Sequence, residues 1–183
     1  MRTCTNALTL LVLLALWPAI AGCGDDAGLP RSVRNVLENA DTLVIYAVEP
    51  PINFAIKKGD KLPQATSEKL HEYPVYGTVT VSDKSLRATI IQQLYLGMAR
   101  GNEMRDSAAC FLPRHAIRAT YRDARVDILL CFECAWSHVF VDGESIARHK
   151  TTSEVCDLLN QLLTDADVPL SPGSERKVFE QAK

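Results

Sequence analysis

From His115 onward the chain alternates apolar and polar residues at period two, and this pattern restricts the fold more than any other feature. His115, Ile117, Ala119 and Tyr121 alternate with Ala116, Arg118 and Thr120. A turn at 122–125 follows, and the even positions Val126, Ile128, Leu130, Phe132, Cys134, Trp136, His138 and Phe140 continue the alternation. Successive side chains of a strand point to opposite faces, so the pattern predicts half-buried strands, the second of them long and bent. Asp142-Gly143 supplies the two left-handed positions of a tight hairpin leading into a further strand at 144–148.

The same reading extends upstream. Residues 42–48 are β-rich and end at Glu49-Pro50-Pro51; residues 73–81 form a second strand entered through Pro74. Between them, 52–72 reads as a long loop. Helical spacing appears over 32–40 (Val33, Val36, Leu37) and from a Ser82 or Asp83 cap to about Arg100 (Leu86, Ile90, Ile91, Leu94, Met98), where Gly101 ends it. A last helix over 152–164 carries Val155, Cys156, Leu159, Leu162 and Leu163. The expected fold class is α+β: an antiparallel sheet of about four to five strands with helices on one face in two layers, the other face in water. The organisation expected is a single domain over 31–168 and a polar tail over 169–183.

The first residues have a different character. Arg2 precedes residues 7–17, of which only Thr9 is polar. Such a run falls short of the ~20 residues that span a bilayer and suits the h-region of a secretory signal. It leads to Ile20-Ala21-Gly22-Cys23 and then Gly24-Asp25-Asp26. The segment resembles the lipobox of bacterial lipoproteins. That resemblance implies a signal peptide over 1–22, a diacylglycerol thioether with further acylation on Cys23, and a tether over 23–30. The lipid would make the membrane a partner, since stable anchoring takes about two lipid signals and the multiply acylated cysteine supplies them. Gly24, not aspartate, follows the cysteine, which in Gram-negative lipoproteins implies the outer membrane, facing the periplasm.

Net charge is −2 and no Lys/Arg stripe is present, which argues against nucleic acid as a partner. About 160 residues remain after the signal, enough for one domain with a core. Of six cysteines, the lipobox resemblance implies that Cys4 leaves with the signal and Cys23 carries lipid. Cys110, Cys131, Cys134 and Cys156 remain for an oxidising compartment. The stretch Cys110-Phe-Leu-Pro-Arg-His115 and the stretch Cys131-Phe-Glu-Cys134, with Ile45-Tyr46 and Tyr73-Pro74-Val75, are similar to a group of bacterial envelope and secreted proteins of unknown function. The similarity implies that the cysteines form one unit, and no activity comes with it.

Four chemistries compete for that unit. Covalent haem needs histidine after Cys-x-x-Cys, where Ala135 stands. A thioredoxin-type pair needs a helix N-terminus, and this pair lies in an apolar strand. Zinc on Cys110, His115, Cys131 and Cys134 has suitable ligand types, but strand positions i and i+3 face opposite ways. A disulfide fits best. Pairing through Asp123-Ala124 sets Ala116 opposite Cys131 and Pro113 opposite Cys134, so Cys110 lies three residues past the position facing Cys134. Cys110 and Cys131 would be six positions out of register, roughly 20 Å apart. The expectation is Cys110–Cys134, with Cys131 free and Cys156 either a competitor or a small buried hydrophobe.

The same register sets Arg114 against Glu133 and Thr120 against Asp127, with Arg118 between. Arg114, Arg118 and Glu133 are therefore a candidate anion or peptide patch, or plain cross-strand ion pairs. His115 and His138 read as core or rim residues. G-x-S-x-G, P-loop and H-E-x-x-H motifs are absent from the sequence. The functional expectation is a non-catalytic binding or structural module of the envelope, taking a protein partner or small ligand and no cofactor. The alternative is a thiol- or zinc-dependent enzyme centred on Cys131, Cys134 and His115.

Overall fold

The computed structural model describes residues 27–51, 62–105, 109–175 and 177. Cys4, the signal segment, Cys23 and Val178-Phe179 lie outside the described residues, as does part of the expected 52–72 loop. No helix among the described residues is long and apolar enough to cross a membrane.

The described residues form three helices and seven strands. The order is α1 (Arg31–Glu38), β1 (Thr42–Val48), β2 (Lys69–Leu70), β3 (Tyr73–Val81), α2 (Lys84–Asn102), β4 (His115–Tyr121), β5 (Ala124–Cys131), β6 (Trp136–Val141), β7 (Glu144–Lys150) and α3 (Cys156–Asp165). The strands form one antiparallel sheet in the order β2-β3-β1-β4-β5-β6-β7. The α+β class stands, while the count of four to five strands is corrected to seven. Two additions account for the difference. β2 is only two residues long, too short for periodicity to reveal.

The other addition comes from dividing the expected single strand over 126–140. A turn at 132–135 separates β5 from β6, with Cys131 paired to Trp136 and Ala135 at φ 55°. Alanine is a poor marker for a left-handed position, so no local signal announces this turn. The Cys131 sulfur accepts a hydrogen bond from the Cys134 backbone N–H at 3.2 Å. It does there what an aspartate or serine oxygen does in most such turns. The turn also resets the phase. Val126, Ile128 and Leu130 belong to the helix-side core together with Val139, whereas Phe140 packs with Leu129 on the far face.

Register shifts as well. β4 and β5 close through a two-residue turn, Arg122-Asp123, with Tyr121 opposite Ala124 and Arg122 at φ 53°. Ala116 therefore faces Leu129, not Cys131, and Arg118 instead of Thr120 faces Asp127. Asp142 (φ 50°) and Gly143 (φ 95°) turn the β6–β7 hairpin through two left-handed positions, as expected.

Alternate sheet residues join the apolar stripes of all three helices in one core: Leu43 and Ile45 of β1, Ile117 of β4 and Ile128 of β5 meet Val33, Leu94 and Leu159. The far face is not left to water. Tyr46, Val48, Leu70, Val75, Ala116 and Leu129 form a second cluster there, with Phe111 and Phe140 against it. The sheet curls to enclose it. His71, in the β2–β3 turn, stacks on Phe140 of β6 at 3.9 Å between ring centres, although β1, β4 and β5 lie between β3 and β6.

Asp83 caps α2, accepting from the Leu86 N–H at 2.7 Å. The far end of α2 lies against the segment that links β7 to α3. Thr152 donates its backbone N–H to the Gly97 carbonyl at 3.0 Å. A Cβ on Gly101 would stand 2.6 Å from the Thr151 nitrogen and closer still to the Lys150 carbonyl, whereas one on Gly97 would meet Thr151 Oγ1 at 3.2 Å. Backbone cannot swing aside as a side chain can. Gly101→Ala should therefore lower stability by about 1–3 kcal/mol in urea melts, despite alanine's better helix propensity. Gly97→Ala should cost less than half as much; equal losses would contradict this packing.

Candidate functional site

The cysteine unit is a crosslink with a capped turn beside it. Cys110 and Cys134 are disulfide-bonded, their Cα atoms 6.1 Å apart and 24 residues apart in sequence. A loop of that length restricts the unfolded chain enough for about 3 kcal/mol of stabilisation. Cys131 and Cys156 are free thiols, both buried. Burial pushes the Cys131 thiol up from its usual value, against the opposing pull of the Leu112 and Cys134 amides and of Arg114. A thiol held in that form is a poor nucleophile.

His115 does not join the cysteines. Its ring is buried between α3 and Phe132, with Nε2 2.7 Å from Asn160 Oδ1 and ring centres 5.4 Å from Phe132. Two of the four sulfur and nitrogen ligands considered for zinc are thus bonded to each other, and a third faces a different partner. Among the described residues no three His, Cys, Asp or Glu side chains are placed to hold a metal.

The candidate patch separates into two parts. Arg114 is buried, donates Nε–H to the Pro172 carbonyl at 2.6 Å and brings Nη2 within 2.7 Å of Glu133 Oε2. The last contact is an ion pair whose angles fall outside hydrogen-bond geometry. Arg114 thereby fastens the segment after α3, where Ser171 and Ser174 are also buried, so the chain stays packed past residue 168. Arg118 belongs to another cluster. It grips Asp127 with two donors, Nε to Oδ1 at 2.7 Å and Nη2 to Oδ2 at 2.9 Å, and its Nη1 reaches the Tyr46 hydroxyl at 3.3 Å.

His71 completes that cluster, with Nε2 3.0 Å from Asp127 Oδ2. Asp127 is only 1% exposed and both its oxygens are occupied. His138 lies beside it, its ring tilted against Phe140 at 4.4 Å between centres and 2.6 Å from Ser145 Oγ. Burial, then Arg148 and His71, hold the His138 ring below its ordinary pKa. The pairing His71–Asp127 ties the β2–β3 turn to β5 across the curled sheet. Nothing in the sequence around His71 singles it out; the curl alone brings it to Asp127.

An open site lies on the helix side. The end of α1, the start of α2 and Tyr121 at the end of β4 enclose a cleft of about 580 Å³. Leu37, Ala40 and Ile91 form its apolar floor, and Tyr95 and Tyr121 its walls. Glu38 and Asp41, at and just after the end of α1, and Lys84 and Arg87, at the start of α2, also line it. The acids are engaged: Tyr95 donates its hydroxyl to Glu38 Oε1 at 3.2 Å, and the Arg122 N–H reaches Asp41 Oδ2 at 3.1 Å. Burial and the neighbouring Glu38 raise the Tyr95 hydroxyl well above its usual range, so it stays a donor. Sequence spacing held no sign of this cleft, because three separate segments build it.

Comparison with family models, with curated proteins and with solved structures returns no match for this chain.

The buried His115 makes stability depend on pH. Burial drives its pKa from 6.5 down to about 4, with Arg114 adding to the fall and the Asn160 bond opposing it. Above pH 6.5 both folded and unfolded chains hold the ring neutral, and its full contribution is present. As pH drops from 6.5 to 4 the unfolded chain takes up the proton first, so stability falls, by about 3 kcal/mol in all. Urea melts across that window should show the slope, and His115→Gln should flatten it; an unchanged slope in the variant would contradict the assignment.

Proposed function

We propose that this protein is a lipid-anchored binding module of the bacterial cell envelope, tethered through Cys23 and taking a small ligand in the α1–α2 cleft. The observation that carries the binding reading is the cleft itself. Its volume of about 580 Å³ lies within the range of small-molecule sites, and it combines an apolar floor with a few polar rim groups. Several chemistry-bearing groups elsewhere among the described residues are committed. Cys110 and Cys134 share a bond, Cys131 caps a turn, His115 faces Asn160 and Asp127 is saturated by Arg118 and His71.

The anchor rests on the lipobox-like Ile20-Ala21-Gly22-Cys23 and the apolar run before it. The disulfide agrees with an oxidising compartment. Outer-membrane sorting follows from Gly24 after the cysteine. The similarity to envelope and secreted proteins adds the same compartment and no activity.

Expression of the full chain in a Gram-negative host tests the anchor. Mass spectrometry of the N-terminal peptide should find residue 23 as the new terminus bearing diacylglycerol and a further acyl chain. Cys23→Ala should move the protein out of the membrane fraction. An unmodified Cys23 peptide in the membrane fraction would overturn the reading.

A further inference from the structure

The rim of the α1–α2 cleft carries two acids and two bases, which differ in how far they are already engaged. Glu38 already accepts from Tyr95 and Asp41 from the Arg122 backbone, so the acidic rim is partly satisfied within the protein. Arg87 spends one nitrogen, Nη1, on the Val81 and Ser82 carbonyls, which holds its guanidinium at the mouth. Lys84 is exposed and makes no hydrogen bond or ion pair among the described residues. It sits in the first turn of α2, next to the Asp83 cap.

Leu37 and Ile91 lie on the floor, and the half-buried rings of Tyr95 and Tyr121 stand on the walls. Tyr95 is fixed by its bond to Glu38, and Tyr121 carries the Arg122 guanidinium 5.0 Å from its ring centre. Two fixed rings over an aliphatic floor suit a flat or slender hydrocarbon body, which stacks well without ordering loose side chains.

We propose, building on the binding reading above, that the cleft takes a small apolar carboxylate: a hydrocarbon or aromatic body between Tyr95 and Tyr121, its carboxylate against Lys84 and Arg87. Lys84 supplies a point charge and Arg87 its remaining donors, a pairing suited to a carboxylate. A cationic head would have to compete with Tyr95 and the Arg122 N–H for the oxygens of Glu38 and Asp41.

The test uses the full chain in lipid nanodiscs, with empty discs as the reference, and three probes of the same ring system. They are 2-naphthoate, neutral 2-naphthylmethanol and 2-naphthylmethylammonium, each measured by equilibrium dialysis. The expected order is naphthoate tightest and the ammonium weakest. Lys84→Glu should weaken naphthoate at least fivefold and leave the alcohol within twofold, and Ala88→Trp, which fills the cleft, should abolish all binding. Melting temperatures of both variants are compared with the parent, and Ala88→Ser serves as a second, non-filling variant that should still bind. If the alcohol or ammonium binds as tightly as naphthoate and Ala88→Trp still blocks it, the carboxylate preference is overturned and the cleft remains a binding site. If no probe binds the parent chain, or Ala88→Trp leaves binding intact, both this proposal and the binding reading fall.

Discussion

The buried carboxylate of Asp127 is the constraint on which the shape of this protein depends. A charge so far from water is tolerated only when it is fully met, and removing one partner of such a group typically costs about 3–5 kcal/mol. Its partners come from distant parts of the chain. Arg118 reaches it across one strand pair, while His71 reaches it from the β2–β3 turn, which sheet order sets three places away. A flat sheet would not bring them together. The curl that does so also brings Leu70 over the far face and closes the second apolar cluster.

Curling one face inward leaves the other to the helices. Ile117 and Ala119 of β4 join the helix-side core while Arg118, between them, points to Asp127 on the far side. Tyr121, on the helix-facing side of the same strand, walls the cleft between α1 and α2. One strand thus serves both the brace and the cleft. The disulfide and the Arg114 contacts to Pro172 and Glu133 close the opposite end of β4, next to His115. Asp127, Arg118 and His71 are engaged in holding the sheet, and the open space lies at the other face, between α1 and α2.

Local signals carried the elements well where they were strong. β1, β3 and β4 begin and end where alternation and proline placed them, Asp83 caps α2, and Asp142-Gly143 turns its hairpin. They failed where a turn used an unmarked residue. Ala135 and Arg122 take left-handed conformations that their types do not advertise, so one strand became two and the β4–β5 register moved by two positions. The Cys110–Cys134 pairing survives although the register used to reach it shifts, because the 132–135 turn brings Cys134 back toward the strand entrance. His71 and the cleft were not legible at all. Both arise from segments far apart in sequence, and neither has a periodic trace.

The central claim is that Asp127 holds the β2–β3 turn across the curled sheet. A double-mutant cycle between His71→Ala and Asp127→Asn, read by urea unfolding at neutral pH, measures this directly. A coupling of about 1 kcal/mol or more between the two changes is the predicted result, since charge-assisted hydrogen bonds of buried groups carry that much. Strict additivity, with each substitution costing the same whether or not the other is present, would contradict it.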